Sequence, residues 1–276
     1  MCRRKVTVPI LLSARELRDR LEEPGLVILD TRPPESFANG HIPGARSFDI
    51  FGISLVDTRP GPLAAFLWII EHLIGARGVS DDSRVVVHDR VSGERAARLF
   101  WFLEFFGHER VHVLDGGFEA WEISGCPTTQ NATVPERGAF TARPDRDRLA
   151  TADDVLERLG RPGTVILDVR SEEENQATLV RSARGGRIPG AVHLEWKNNL
   201  NPDGTFKASE ELQSQYRAIG VTPDREIIPY CQGGYRSANT YLALRLAGYP
   251  LLRNYLGSWG EWGNRTELPI ETPPYR

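Results

Sequence analysis

The chain has 276 residues, of which 40% are apolar and 26% are charged, so we expect about two globular domains and exclude a miniprotein held together by disulfides. The 34 Lys and Arg residues nearly balance the 37 Asp and Glu residues, leaving a net charge of −3, which argues against nucleic acid as a partner. The longest apolar run, Leu63 to Ile70, is short and the basic N-terminus has no signal-peptide core, which predicts a cytoplasmic protein with no membrane partner.

Strands and helices are predicted to alternate along the first half of the chain. Ser13 and Glu16 form a capping-box pattern that predicts the start of a helix. Short apolar runs then alternate with longer helical stretches, which is typical of βαβ units. The predicted elements are a strand over 27–30, a helix over 63–74, a strand over 84–89 and a helix over 95–106. This order predicts an α/β domain, a mainly parallel sheet flanked by helices.

His108 and His112 match the HExxH pattern of zinc proteases. Such a site needs both histidines on one face of a helix. Here Gly107 ends the preceding helix, and the residues around Val111 resemble a strand. We therefore predict a strand at this position and no metal site.

A linker is predicted over residues 127–146, between a first domain over 1–126 and a second over 147–276. Pro127, Pro135 and Pro144 interrupt the linker, and it has no sustained apolar period. The second domain then starts with a helix signal at Thr151. Its further predicted elements are strands over 165–168 and 225–231 and helices over 209–219 and 237–247.

The second half repeats motifs of the first half in the same order. Two of the matches, a Val-Ile-Leu-Asp and an Ile-Pro-Gly-Ala segment, are identical letter for letter. The paired segments are 27–30 with 165–168, 42–45 with 188–191, 84–89 with 225–231, and 116–121 with 257–262. Similarity that keeps its order along the chain indicates a duplicated domain.

Cys231 is the candidate nucleophile. It follows a predicted buried strand and precedes the segment Gln-Gly-Gly-Tyr-Arg and a helix. Two glycines allow a tight turn that brings several N–H groups together, and the helix N-terminus and Arg236 add positive charge, which lowers the pKa of a thiol. The alternative is that Cys231 is a buried small apolar residue. Cys2 and Cys126 have no comparable setting and are assigned no role.

With these motifs the chain resembles the tandem-domain rhodanese family of thiosulfate and 3-mercaptopyruvate sulfurtransferases. Residues 37–45 (Phe-Ala-Asn-Gly-His-Ile-Pro-Gly-Ala) look like the first signature of that family, and 257–262 (Gly-Ser-Trp-Gly-Glu-Trp) look like its C-terminal signature. The resemblance covers nearly the whole chain and implies two rhodanese-like domains. Only the second would be catalytic, because the first has Asp89 where the second has Cys231. We expect the first domain to form one wall of the site in the second.

The resemblance implies a sulfurtransferase that works by double displacement. The Cys231 thiolate would take the outer sulfur of thiosulfate as a persulfide, and cyanide or a thiol would then remove it. Arg236 would hold the anionic end of the donor. The loop residues expected to contact the substrate are Gln232, Gly233, Gly234 and Tyr235. No metal or organic cofactor is implied, the partners are a small-molecule donor and a thiol or cyanide acceptor, and a thioredoxin-like reductant is a further candidate.

The second copy is longer than the first between its Val-Ile-Leu-Asp and Ile-Pro-Gly-Ala motifs, and the added segment carries Arg181, Arg184 and Arg187. Related sulfurtransferases bind their substrate with arginines from this segment, so Arg181 and Arg187 are candidate substrate-binding residues. The alternative is a solvated basic loop.

Three other functions compete with thiosulfate transfer. Use of 3-mercaptopyruvate as the donor stays open, because the Cys-Gln-Gly-Gly-Tyr-Arg loop matches the typical loop of neither subtype. A cysteine phosphatase or arsenate reductase is disfavoured, since a cysteine phosphatase has five residues between cysteine and arginine. A non-catalytic binding module is disfavoured because it would need neither the thiol nor the anion-binding loop.

Overall fold

The computed structural model describes residues 9–274, so Cys2 and the basic N-terminus lie outside the described residues. The first half forms one five-stranded sheet in the order β1-β5-β4-β2-β3, with every pair of neighbours parallel. Its strands are β1 Leu11–Leu12, β2 Leu26–Asp30, β3 Arg46–Ser47, β4 Arg84–His88 and β5 Val111–Leu114. Its helices are α1 Ala14–Arg18, α2 Pro34–Asn39, α3 Pro60–Ala76, α4 Glu94–Phe105 and α5 Gly117–Ile123.

The second half repeats this strand order. Strands β8-β7-β9 form one parallel sheet and β10-β6 a second, and a parallel bridge between Ile227 and Leu252 joins them. Its strands are β6 Leu149–Ala150, β7 Thr164–Asp168, β8 Val192–His193, β9 Glu226–Tyr230 and β10 Asn254–Tyr255. Its helices are α6 Ala152–Arg158, α7 Glu172–Asn175, α8 Ser209–Ala218, α9 Arg236–Leu246 and α10 Ser258–Trp262. The predicted fold class, two α/β repeats with mainly parallel sheets, is confirmed.

The local signals in the sequence locate most of these elements. Capping boxes are present at Ser13 and at Thr151, where each helix starts. The four longer helices lie within three residues of their predicted bounds. His112 lies within strand β5, and His108 lies ahead of it, so the strand predicted there is confirmed. The segment between α5 and a 3₁₀ turn at Arg146–Arg148 has no helix or strand, and it is held to the first half by an isolated bridge from Thr129 to His41 and by further backbone hydrogen bonds.

The repeated Asp-x-Arg motif at the ends of β2 and β7 is structural. Asp168 accepts three hydrogen bonds from the Arg170 guanidinium, at 2.5–3.1 Å, and Arg170 also donates to the carbonyl of Gly186 at 2.8 Å. The Asp30–Arg32 pair has the same arrangement. Burial alone would raise the pKa of Asp168, but the bonds from Arg170 hold it below its ordinary value. Each pair therefore joins the end of a central strand to the loop that follows it.

Helices α4 and α9 pack against each other across the boundary between the two halves. Glu104 of α4 accepts hydrogen bonds from Tyr241 (2.6 Å) and Arg245 (2.7 Å) of α9. Near the other end, Asn239 donates to the carbonyl of Ser92 at 2.9 Å. The contacts join the start of α4 to the start of α9 and the end of α4 to the end of α9, so the two helices run in the same direction. Within residues 9–274, no helix combines the length and apolar character required to cross a membrane.

Candidate active site

Cys231 lies between strand β9 and helix α9. The strand ends at Tyr230 and the helix begins at Arg236, which is the strand, loop and helix arrangement predicted from the sequence. The loop turns through Gly234, whose φ is +83°. A Cβ at Gly234 would also come within 2.8 Å of the carbonyl oxygen of Leu256. Glycine is therefore required at this point for the loop to close around the sulfur.

Hydrogen bonds fix the cysteine on both sides. The backbone N–H of Gly234 donates to Cys231 Sγ at 3.2 Å. The backbone N–H of Cys231 donates to Ser258 Oγ at 3.1 Å, and that hydroxyl donates to the carbonyl of Tyr255 at 2.8 Å. Ser258 has a φ of +52°, a strained conformation for a residue with a side chain. Ser258 of the Gly-Ser-Trp motif thus fixes the backbone of Cys231.

The thiol is buried but activated. Cys231 is 1% exposed, and burial alone would raise its pKa. The Arg236 guanidinium and the backbone N–H groups of Ser237 and Gly233 outweigh this effect, so the pKa of Cys231 lies below its ordinary value. A larger share of the sulfur is therefore thiolate at neutral pH, the form that acts as a nucleophile.

Cys231 lines a cavity of about 470 Å³ between the two halves of the chain. The second half contributes most of its walls, and the first half contributes the opposite side, as expected. The residues from the first half are Phe51, Gly52, Ser54 and Glu94. Those from the second half are Ser171, Glu174, Arg181, Glu195, Trp196, Lys197, Cys231, Gln232, Gly233, Tyr235 and Arg236. Gly234 was also expected to contact the substrate, but it does not line the cavity; its N–H donates to the Cys231 sulfur instead.

Arg236 is paired with Glu174, which the sequence did not predict. Both terminal nitrogens of Arg236 donate to the two carboxylate oxygens of Glu174, one of them at 2.9 Å. The Glu174 side chain is only 2% exposed. Burial raises its pKa, but the bond from Arg236 holds it below the ordinary value. The carboxylate of Glu174 therefore balances the charge of Arg236 while the guanidinium acts on the sulfur. Arg236 was expected to bind the anionic end of the donor, and this pairing does not favour that role.

The three arginines of the added segment have different surroundings. Arg181 lines the cavity, is 57% exposed and lies 3.5 Å from Glu174. Arg184 donates to four backbone carbonyls near the C-terminus, so it has a structural role. Arg187 pairs with Glu271 at 2.9 Å and does not line the cavity. The structure thus brings Arg181 to the site, but it does not bring Arg187 there.

Lys197 is a cavity cation that sequence reasoning missed. Its side chain is 72% exposed and lies 3.5 Å from Glu195. It lies on a 3₁₀ turn at Trp196–Asn199, far along the chain from the cysteine loop. No local motif marks this turn, and only the tertiary fold brings it to the cavity.

Gln232 lines the cavity as predicted, and its side-chain nitrogen donates to Ser182 Oγ at 3.1 Å.

The matching position in the first half carries a carboxylate. Asp30 pairs with His88 in the sheet as Asp168 pairs with Tyr230, so Asp89 is the counterpart of Cys231. Asp89 accepts hydrogen bonds from the backbone N–H groups of Arg90 (2.7 Å) and Arg95 (3.2 Å). Burial raises its pKa to about 6. A carboxylate in this loop can accept the same N–H groups, but it cannot carry a persulfide.

Comparison with known proteins agrees with this geometry. A family model described as "Rhodanese-like domain" matches residues 13–124 and 151–265. A thiosulfate sulfurtransferase of Azotobacter vinelandii is 34% identical over 96% of this chain and 98% of its own length. A Pseudomonas aeruginosa protein named probable 3-mercaptopyruvate sulfurtransferase is 33% identical over 95% of this chain and 98% of its own length. The anaerobic ergothioneine biosynthesis enzyme of Chlorobium limicola shares the fold, with a TM-score of 0.82, 24% identity, and coverage of 95% of this chain and 70% of that one.

Proposed function

This chain belongs to the rhodanese-like domain family, and we propose that it is a sulfurtransferase that takes the outer sulfur of thiosulfate onto Cys231 and passes it to a thiol or cyanide. The observation that carries the proposal is a cysteine with a lowered pKa on the wall of a cavity, in a six-residue loop that ends in Arg236. Full-length relatives bearing the sulfurtransferase name support the same reaction.

The first step is attack of the Cys231 thiolate on the outer sulfur of thiosulfate. The S–S bond of the donor breaks, and sulfite leaves with the bonding electron pair. The product is a Cys231 persulfide, whose terminal sulfur is also an anion at neutral pH. The N–H of Gly234, which lies 3.2 Å from the sulfur, would stabilise both the thiolate and the persulfide.

The second step returns the enzyme to its starting state. A thiolate or cyanide attacks the terminal sulfur, and the electron pair of the broken S–S bond returns to Cys231. The products are a new persulfide or thiocyanate. Neither step requires an external oxidant or a cofactor. A thioredoxin-like reductant could supply the accepting thiol, and a cytoplasmic location would provide reduced thiols.

Donor binding is assigned to the exposed cations of the cavity. Arg236 is paired with Glu174, whereas Arg181 and Lys197 are 57% and 72% exposed and line the same cavity. An anionic donor would therefore place its oxygen atoms toward Arg181 and Lys197, with its outer sulfur toward Cys231. Gln232, Gly233 and Tyr235 complete the wall around the reacting sulfur.

The test is mass spectrometry after incubation with thiosulfate. A gain of about 32 Da, the mass of one sulfur atom, is expected on the peptide that contains Cys231. The variant C231S is the matched control and should show no gain. Absence of the adduct in the unmodified protein would refute the proposal.

A second donor is favoured by one comparison, the relative from Pseudomonas aeruginosa named for 3-mercaptopyruvate. Both donors are anions, so the cation pair alone does not separate them. Steady-state kcat/KM values for thiosulfate and 3-mercaptopyruvate, measured on the same preparation, decide between them. A higher value for 3-mercaptopyruvate would reassign the donor and leave the persulfide step intact.

A further inference from the structure

Arg98 is a buried cation that makes no ion pair with a carboxylate within residues 9–274. It lies on α4 in the first half of the chain and is 0% exposed. None of its three guanidinium nitrogens has a hydrogen-bond partner among the described residues. Buried arginines are normally paired with a carboxylate or with several carbonyl oxygens, because an unpaired buried charge is costly. A residue kept in this state calls for an explanation other than packing.

The guanidinium of Arg98 stacks on the catalytic loop. Its central carbon lies 3.7 Å from the ring centroid of Tyr235, the residue before Arg236. The rings of Phe102 and Phe66 lie farther away, at 5.4 and 6.0 Å. Tyr235 itself is fixed, since its hydroxyl donates to the carbonyl of Ile50 at 2.7 Å. The first half of the chain thus brings a positive charge up to the loop that carries Cys231.

The charge on Arg98 persists at neutral pH. Burial lowers its pKa to about 10, and Tyr235 and Cys231 are the groups that oppose this shift. Tyr235, on which the guanidinium stacks, directly follows Gly234, whose N–H bonds the sulfur at 3.2 Å. On α4 itself, Glu94 lies one turn earlier and lines the cavity. Beyond the Tyr235 ring, Asp49 is neutralised by Arg95 at 2.8 Å.

The two cations that contact the cysteine loop differ in how their charges are balanced. Arg236 forms a two-bond ion pair with the carboxylate of Glu174, which cancels much of its field at a distance. Arg98 forms no such pair within residues 9–274. A negative charge on Cys231, first as thiolate and then as persulfide, would supply the counter-charge that Arg98 lacks among the described residues.

We propose that Arg98 is a positioning residue that stabilises negative charge on Cys231, as thiolate and then as persulfide, from behind the Tyr235 ring. The proposal rests on the proposed sulfur-transfer function and assigns a task to the half of the chain that has no nucleophile. The first domain supplies one wall of the cavity and a cation that acts on the second domain's sulfur. In the first domain, the loop at Asp89 corresponds to the cysteine loop of the second domain. Asp89 accepts a hydrogen bond from the N–H of Arg95 and so fixes the start of α4, the helix that carries Arg98.

The test measures the pKa of Cys231 in variants of Arg98, by following the rate of iodoacetamide labelling of the Cys231 peptide against pH. R98M keeps the length of the side chain and removes the charge, whereas R98K keeps the charge. R98M is expected to raise the thiol pKa by about 0.5 to 1 unit, a three- to tenfold loss of thiolate at a fixed pH below the pKa. R98K should retain most of the wild-type value. The kcat/KM for thiosulfate should fall in R98M at neutral pH and recover as the pH rises.

The matched control is R245M. Arg245 lies at the same helix interface but is paired with Glu104, so its removal tests for interface damage and should leave the Cys231 pKa unchanged. A Cys231 pKa in R98M equal to that of the wild type would overturn the proposal. Labelling does not need a sulfur donor, so this result is independent of whether thiosulfate forms a persulfide.

A second measurement covers the case in which R98M does not fold by circular dichroism. This measurement is NMR of the protein labelled with ¹⁵N-arginine. The Nε–H signal that is present in the wild type and missing in R98K is assigned to Arg98. That signal should shift when Cys231 is converted to its persulfide, and the shift should be absent in C231S. An Arg98 signal that does not respond to the persulfide would contradict the proposal.

Discussion

Removing the Glu174 carboxylate should activate the thiol and destabilise the protein at the same time. Glu174 is 2% exposed and receives both terminal nitrogens of Arg236, which in turn interacts with Cys231. The variant E174Q keeps the size and shape of the side chain and removes its negative charge. Arg236 would then act on the sulfur without compensation.

The size of the effect follows from the geometry. A carboxylate that bonds a guanidinium next to a thiolate acts on the sulfur over roughly 6 to 7 Å, and at an effective dielectric constant of about 20 that interaction amounts to roughly 2.5 kcal/mol. The expected fall in the Cys231 pKa is therefore roughly one to two units. Removing the charge of one partner of a buried ion pair, here Glu174, also costs roughly 3 kcal/mol of folding free energy. The melting temperature of E174Q should therefore fall by several degrees.

Iodoacetamide labelling of the Cys231 peptide against pH measures the shift, and calorimetry measures the loss of stability. The double variant E174Q/R236M is the control, because it removes both charges and should lose the fall in thiol pKa. A freed guanidinium should also bind the donor, so the KM for thiosulfate should drop in E174Q. An unchanged or raised pKa of Cys231 in E174Q would refute the interpretation that Glu174 offsets the effect of the Arg236 charge on the thiol.

Four further predictions follow from individual side chains. C231S should abolish thiosulfate-dependent thiocyanate formation without a change in the circular dichroism spectrum, and full activity in it would end the assignment of the nucleophile. R181M and K197M should each raise the KM for thiosulfate several-fold with little change in kcat, while the control K207M, on the Lys207–Glu211 pair, should behave as wild type; equal KM values in all three would remove the proposed donor site. S258A should lower the melting temperature, since it leaves the buried N–H of Cys231 without its acceptor at a cost of about 1 to 3 kcal/mol, and an unchanged temperature would show that water replaces the hydroxyl. Because the pKa of Asp89 is raised to about 6, its proton stabilises the fold below about pH 4 and that stabilisation is lost as the pH rises through 6, so D89N should gain stability over wild type at pH 8 but little at pH 4; a gain that does not depend on pH would contradict the assigned pKa.

Much of the fold could be predicted from local sequence signals. Hydrophobic period placed the long helices, capping boxes placed the starts of the short helices α1 and α6, and the repeat of the Val-Ile-Leu-Asp segment placed the two central strands. The repeat also aligned Asp89 with Cys231, which predicts one nucleophile per chain. The domain boundaries at 126 and 147 stay predictions, since a linker that packs along the first half has no sharp structural limit.

Cys231 could be predicted as the candidate nucleophile from its neighbours in the chain, because the two glycines and the start of α9 adjoin it and their chemistry is local. The charges around that sulfur could not be predicted in this way and became visible only in the folded chain. Glu174, Lys197 and Arg98 come from three distant segments, and a charge acts through space according to distance and burial, neither of which a linear spacing records. The sequence could not distinguish Arg181 from Arg187 for the same reason. Arg181 lines the cavity, whereas Arg187, six residues further along the chain, pairs with Glu271 instead.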